Sequence, residues 1–220
     1  MGSVRGVLLD MDGTLVDSND AHARSWEKAF SEFGVDASYE EIRARIGKGG
    51  DKMVGEIAGW SYESPEGKRL SERRQEIFLK EYLPTIQAFP KAQELLARMH
   101  EAGLKLVIAT SGKDVELKPL MFRCGADRYI EEKTTSDDAK ESKPDPDIVH
   151  AALERIGLPA DQVVLLGDTP FDIQAAGDAG VRTIALKSGG WGPDGLVGAI
   201  AIYEDAADLL AHFDESPLAG

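Results

Sequence analysis

From Pro90 onward, short apolar runs alternate with helix-length amphipathic stretches, and that alternation constrains the fold more than any other feature. Strand-sized runs stand at 104–109 (LKLVIA), 163–166 (VVLL) and 181–186, and another, 4–10, opens the chain. Helical patterns fill 90–102, 115–122, 147–156 and 170–179. Weaker strand signals lie near Tyr129 and Ala201, a Gly-rich loop covers 188–198, and a last helix spans 205–213. Strands joined by helices pair in parallel, with helices on both faces. The expectation is an α/β fold, a doubly wound parallel sheet of Rossmann-like type.

Between Asp17 and about Leu83 the strand signals vanish. Trp26, Ala29, Phe30 and Phe33 recur at helical spacing, with Gly34 as a stop. Ser64 and Pro65 read as an N-cap and first helical position, opening a helix that breaks at Pro84. The expected organisation is an α/β core of residues 1–16 and 88–220, with an all-helical cap, 17–87, inserted after the first strand. An insertion there sits at the carboxyl end of the sheet, where such folds bind ligands, and is placed to act as a lid.

Composition narrows the function classes. Hydrophobic residues make up 42% of the 220 and charged residues 29%, the profile of a globular chain. No apolar run reaches membrane-spanning length, and the run after MGSVRG is too short for a signal peptide. A net charge of −14 argues against nucleic acid or an anionic membrane as partner. Cys124 stands alone, so no internal disulfide forms, and a reducing, cytoplasmic setting is expected. The chain is expected to be a monomer or weak homodimer.

Four polar clusters follow apolar runs: DMDGT (10–14), TSG (110–112), SKPDPD (142–147) and GDTPFD (167–172). In a parallel sheet the strand ends point one way, so the four loops should meet in one crevice. Taken singly, each has a plain structural use. Asp-Gly and Thr-Ser-Gly make turns, Lys143 before Pro144 suits a solvated loop, and Thr169, Pro170 and Asp172 suit a helix start. Together they offer carboxylates, a hydroxyl and a lysine. That set suits magnesium, a hard ion, and not zinc.

The ordered set DMDGTLVDS, IATSG, SKPDPD and GDTPFD, with a helical insert after the first, resembles the haloacid dehalogenase-like hydrolase superfamily. The insert position resembles its phosphoglycolate phosphatase and β-phosphoglucomutase branch. The resemblance implies a magnesium-dependent phosphatase acting on a small phosphorylated metabolite. It casts Asp10 as the nucleophile, Asp12 as general acid and then base, and Thr110, Ser111 and Lys143 as phosphoryl-binding groups. Magnesium would be held by Asp10, Asp168 and the Asp12 backbone carbonyl, with Asp172 auxiliary. An acid at position 12 separates phosphatases from the dehalogenases and phosphonatases of the superfamily.

Two alternatives accompany this reading. A sugar phosphomutase of the β-phosphoglucomutase type fits the cap and His22, although Gly167 stands where those enzymes tend to carry a second acid. An idle phosphate-binding module would have no use for Asp12. Within the cap, His22 reads as a half-buried packing residue or a site histidine. Lys48 and Lys52, in IGKGGDK, read either as substrate contacts or as solvated lysines.

Overall fold

The computed structural model describes residues 3–130 and 132–219. Its strands are β1 (Gly6–Leu9), β2 (Lys105–Ala109), β3 (Glu132–Thr134), β4 (Val163–Gly167), β5 (Arg182–Leu186) and β6 (Ala201–Tyr203). The helices are α1 (Asn19–Glu32), α2 (Tyr39–Arg43), α3 (Gly50–Met53), α4 (Pro65–Ile77), α5 (Ala92–Glu101), α6 (Asp114–Cys124), α7 (Asp147–Ile156), α8 (Pro170–Asp178) and α9 (Ala206–Ala211).

Successive side chains of a strand leave opposite faces, and the core follows that rule. Val7, Leu9, Leu106, Ile108, Val164 and Leu166 enter one apolar cluster, completed by α5, α6 and α9. Leu8, Val107, Ala109, Val163 and Leu165 enter another, completed by α7 and α8. Strands covered on both faces need apolar residues at every position, which is why they read as unbroken apolar runs.

The sheet order is β3-β2-β1-β4-β5-β6 and every pairing is parallel. This is the doubly wound α/β architecture, and the chain's direction of travel across the sheet reverses at β1. Leu9 pairs with Ile108 on one side and Leu166 on the other. That register sets Asp10 between the ends of β2 and β4. The strand expected near Tyr129 lies later, at Glu132–Thr134, and Tyr129 closes a tight turn over Ala126–Arg128. No helix among the described residues is long and apolar enough to cross a membrane.

The segment between β1 and α5 is helical and holds its own apolar cluster, including Trp26, Phe30, Ile42, Met53 and Leu70. Its two ends run side by side. The Asp17 amide donates to Gln87 O at 2.9 Å, and the Phe89 amide donates to Leu15 O at 3.0 Å. Two adjacent, antiparallel connections thus join the helical segment to the sheet at the mouth of β1.

Candidate active site

Asp10, Thr110 and Asp168 follow directly on β1, β2 and β4, and Lys143 reaches the same point from the loop before α7. The lysine is 1% exposed. Its Nζ donates to Asp10 Oδ1 at 2.6 Å and to the Ala109 carbonyl at 2.7 Å, and it stands 2.7 Å from Asp172 Oδ1. A buried ammonium is tolerated only when its hydrogens are so matched. The other Asp172 oxygen accepts from the amide and hydroxyl of Thr169, closing the N-terminal box of α8. Asp172 therefore belongs both to a helix cap and to the lysine's ion pair.

Asp168 is fully buried. It accepts from Thr14 Oγ1 at 3.1 Å and from Asn19 Nδ2 at 2.9 Å. Carboxylate oxygens of Asp10, Asp168 and Asp172 lie within 4.8 Å of one another. The Asp10 carboxyl is raised to about 7: burial is the largest cause, Lys143 opposes it, and Asp172 and Asp12 add to it. Burial, with Asp10 and Asp172, lifts Asp168 well above the ordinary carboxylate range. Three acids facing one lysine leave a deficit of positive charge, and their all-oxygen donor set suits a hard divalent cation such as magnesium. Glycines wall the cluster closely. A Cβ on Gly189 would fall 1.7 Å from Asp168 Oδ2, and one on Gly13 2.2 Å from the same atom.

The Asp12 side chain turns away from this cluster. It accepts from Ser18 Oγ at 2.5 Å and lies 2.8 Å from His22 Nε2. Burial pushes its carboxyl up, but the charge and hydrogen bonds of His22, the Ser18 hydroxyl and Arg74 together hold it below its ordinary value. His22 stacks on Phe78 at 4.1 Å, and its Nε2 lies beside Asp12. Its Nδ1 meets Arg74, whose guanidinium pairs with the buried Glu116 at 2.6 Å.

Above the strand ends lies a cavity of about 260 Å³, lined from the sheet by Asp10, Asp12 and Ser111 and from the helical segment by Lys48, Trp26 and Arg74. The Ser111 hydroxyl is buried without a partner. Thr110 Oγ1 accepts from the Gly112 amide at 3.0 Å, which leaves its own hydrogen to donate. Lys48 pairs with Glu56 at 2.7 Å and lies over the Phe171 ring. Lys52 does not line the cavity: it is bound to Glu141 at 2.6 Å and Asp145 at 2.8 Å. Of the two readings, substrate contact or solvated lysine, the structure places it in neither position but in ion pairs with two acids of the loop before α7.

Thr14, Ser18, Asn19, Arg74 and Glu116 also belong to the site, and the sequence alone does not single them out. Thr14 and Ser18 stand in DMDGTLVDS itself, so only their proximity was a signal. Arg74 sits in a charge-rich helix where nothing marks it apart.

The family model of the haloacid dehalogenase-like hydrolases matches residues 7–186. The chain belongs to this family and is an enzyme of the hydrolase class. A phosphoglycolate phosphatase of Yersinia pestis is 31% identical over 85% of this chain and 82% of its own. The chain also matches, at 33% identity over 85% of its length, the chloroplastic protein SUPPRESSOR OF QUENCHING 1 of Arabidopsis thaliana, of which it spans only 18%. Among solved structures, a hydrolase from Pseudomonas syringae superposes with a TM-score of 0.89 at 32% identity, covering 96% of this chain and 98% of that one. A candidate β-phosphoglucomutase from Bacteroides vulgatus gives 0.88 at 27% identity, covering 99% and 89%.

Proposed function

We propose that the protein is a magnesium-dependent phosphoric monoester hydrolase that acts on a small phosphorylated metabolite through an aspartyl-phosphate on Asp10. The observation that carries this reading is Asp10 itself. It is a buried carboxylate bound to Lys143, clustered with Asp168 and Asp172, and open to a cavity that also holds Asp12. The family membership and the phosphoglycolate phosphatase relative support it.

In this mechanism an Asp10 oxygen bonds to phosphorus as the ester P–O bond breaks; Asp12, which must first take up a proton from solvent against the pull of His22, Ser18 and Arg74, passes it to the departing oxygen. Asp12 then takes a proton from water. That water attacks the same phosphorus, freeing Asp10 and orthophosphate. Lys143 lowers the repulsion between Asp10 and the incoming phosphate, and the Ser111 and Thr110 hydroxyls donate to phosphoryl oxygens. Magnesium held by Asp10, Asp168 and the Asp12 backbone carbonyl, with Asp172 behind, would add positive charge against the phosphoryl oxygens. Ser18 and His22 fix the direction of Asp12.

The test is phosphate release from an aryl phosphate. EDTA should abolish it and magnesium restore it, and Asp10→Asn should remove it while the fold persists. Turnover in the Asp10→Asn protein would rule out the covalent step.

A mutase reading is favoured by the likeness to the candidate β-phosphoglucomutase. Gly167 counts against it, because a Cβ there would fall 2.6 Å from Asp172 Cγ, so a second acid at that position has no room. Strict dependence of turnover on a bisphosphorylated sugar would decide for the mutase.

A further inference from the structure

The loop that carries Lys143 is gripped from the helical segment on both sides of the lysine. The Gly49 amide donates to Ser142 Oγ at 3.0 Å. Asp51 accepts from the Ser142 amide at 3.3 Å and from the Ser142 hydroxyl. Lys52 Nζ binds Glu141 at 2.6 Å and Asp145 at 2.8 Å. Residues 49–52 therefore hold positions 141, 142 and 145, all within two residues of Lys143. Lys143 in turn spans Asp10, Asp172 and the end of β2.

We propose that Asp51 and Lys52 are positioning residues: by clasping Glu141, Ser142 and Asp145 they set the loop that presents Lys143 to Asp10. The proposal rests on the phosphatase reading for its kinetic consequence. None of the clasping atoms is among those assigned to phosphate or metal. Their effect reaches the chemistry only through the backbone on either side of Lys143, and a misplacement of about 1 Å in such a group can cost about 100-fold in rate. The clasp also joins the helical segment to the sheet, so a merely structural bond between the two halves is the competing account.

The experiment uses the full chain with magnesium and p-nitrophenyl phosphate. Lys52→Met and the double variant Glu141→Gln/Asp145→Asn remove the clasp from opposite sides. Each should lower kcat between about 10- and 100-fold and leave KM within about twofold. Lys52→Arg should recover most of the loss. Combining both sides should cost no more than either alone, because one interaction is lost. Hydrogen exchange across 139–147 provides a second reading that needs no turnover, and the Ser142 amide should lose protection in Lys52→Met. Should Lys52→Met fail to fold, the Glu141→Gln/Asp145→Asn protein carries the same test. An unchanged kcat, a loss confined to KM, losses that multiply in the combined variant, or an unchanged exchange pattern would overturn the proposal. Absence of turnover in the parent chain, with exchange still altered, would overturn the phosphatase reading alone.

Discussion

Asp168 is the most closely confined side chain of the site. Thr14 and Asn19 hold its oxygens, and Gly13 and Gly189 approach so near that neither tolerates a Cβ without displacing it. At Gly13, with φ of 77°, a side chain would also strain the backbone. At Gly189 the obstacle is space alone. Gly189→Ala should therefore fold and yet hold Asp168 out of place. We expect the magnesium concentration for half-maximal activity to rise at least about tenfold, the usual scale when the support of a ligand is disturbed. A magnesium titration identical to that of the parent would show that Asp168 has room to move. Cys124 offers a second check at this scale. It is 1% exposed, and burial pushes its thiol up to about 11. Thiolate is the reactive form, so iodoacetamide at pH 8 should label the native protein far more slowly than the urea-unfolded chain. Mass spectrometry showing equal labelling rates would contradict the burial of α6 against the sheet.

At the scale of elements, caps decide where helices begin. Ser64 accepts from the Gly67 amide at 3.1 Å, with Pro65 in the first turn of α4. Ser64→Ala should cost about 1 kcal/mol in urea unfolding, and Ser64→Asp should retain the bond. A loss below about 0.3 kcal/mol for Ser64→Ala would mean that packing of Leu70 and Ile77 alone fixes α4. Such caps were legible in the sequence because cap and partner lie within one turn. The same holds for Thr169 and Asp172. The strands of the sheet centre were legible for another local reason, since double burial demands unbroken apolar runs. Glu132–Thr134 was not, because a three-residue strand with one buried position has no such run. The partners of Lys52 lie beyond any local pattern: they stand 89 and 93 positions later, and nothing near Lys52 announces them. His22, Arg74 and Glu116 meet only once the helical segment rests on α6.

The whole molecule gathers its charge problem at one point. The net charge is −14, and the switch point of the sheet concentrates three buried acids against Lys143. Such a cluster is held at a cost to stability, because each additional buried negative charge lacks full compensation. Two opposite effects follow, and one pair of proteins separates them. On the proposed reading magnesium would bind the folded cluster and not the unfolded chain, so at about 100 times its dissociation constant it should stabilise the parent by about 2.7 kcal/mol. For a chain of this length that corresponds to a rise of roughly 5–10 °C in Tm. Asp168→Asn removes the acid whose ionisation burial, Asp10 and Asp172 all oppose. Its amide still accepts from Thr14, and Asn19, whose Oδ1 is buried without a partner, can turn that oxygen towards the new amide hydrogens. In EDTA the variant should therefore melt above the parent, and with magnesium it should show little further rise. Calorimetry with and without the ion measures both. A parent Tm indifferent to magnesium would remove the cation from this account, and an Asp168→Asn protein less stable than the parent in EDTA would show that the acid's hydrogen bonds outweigh its charge.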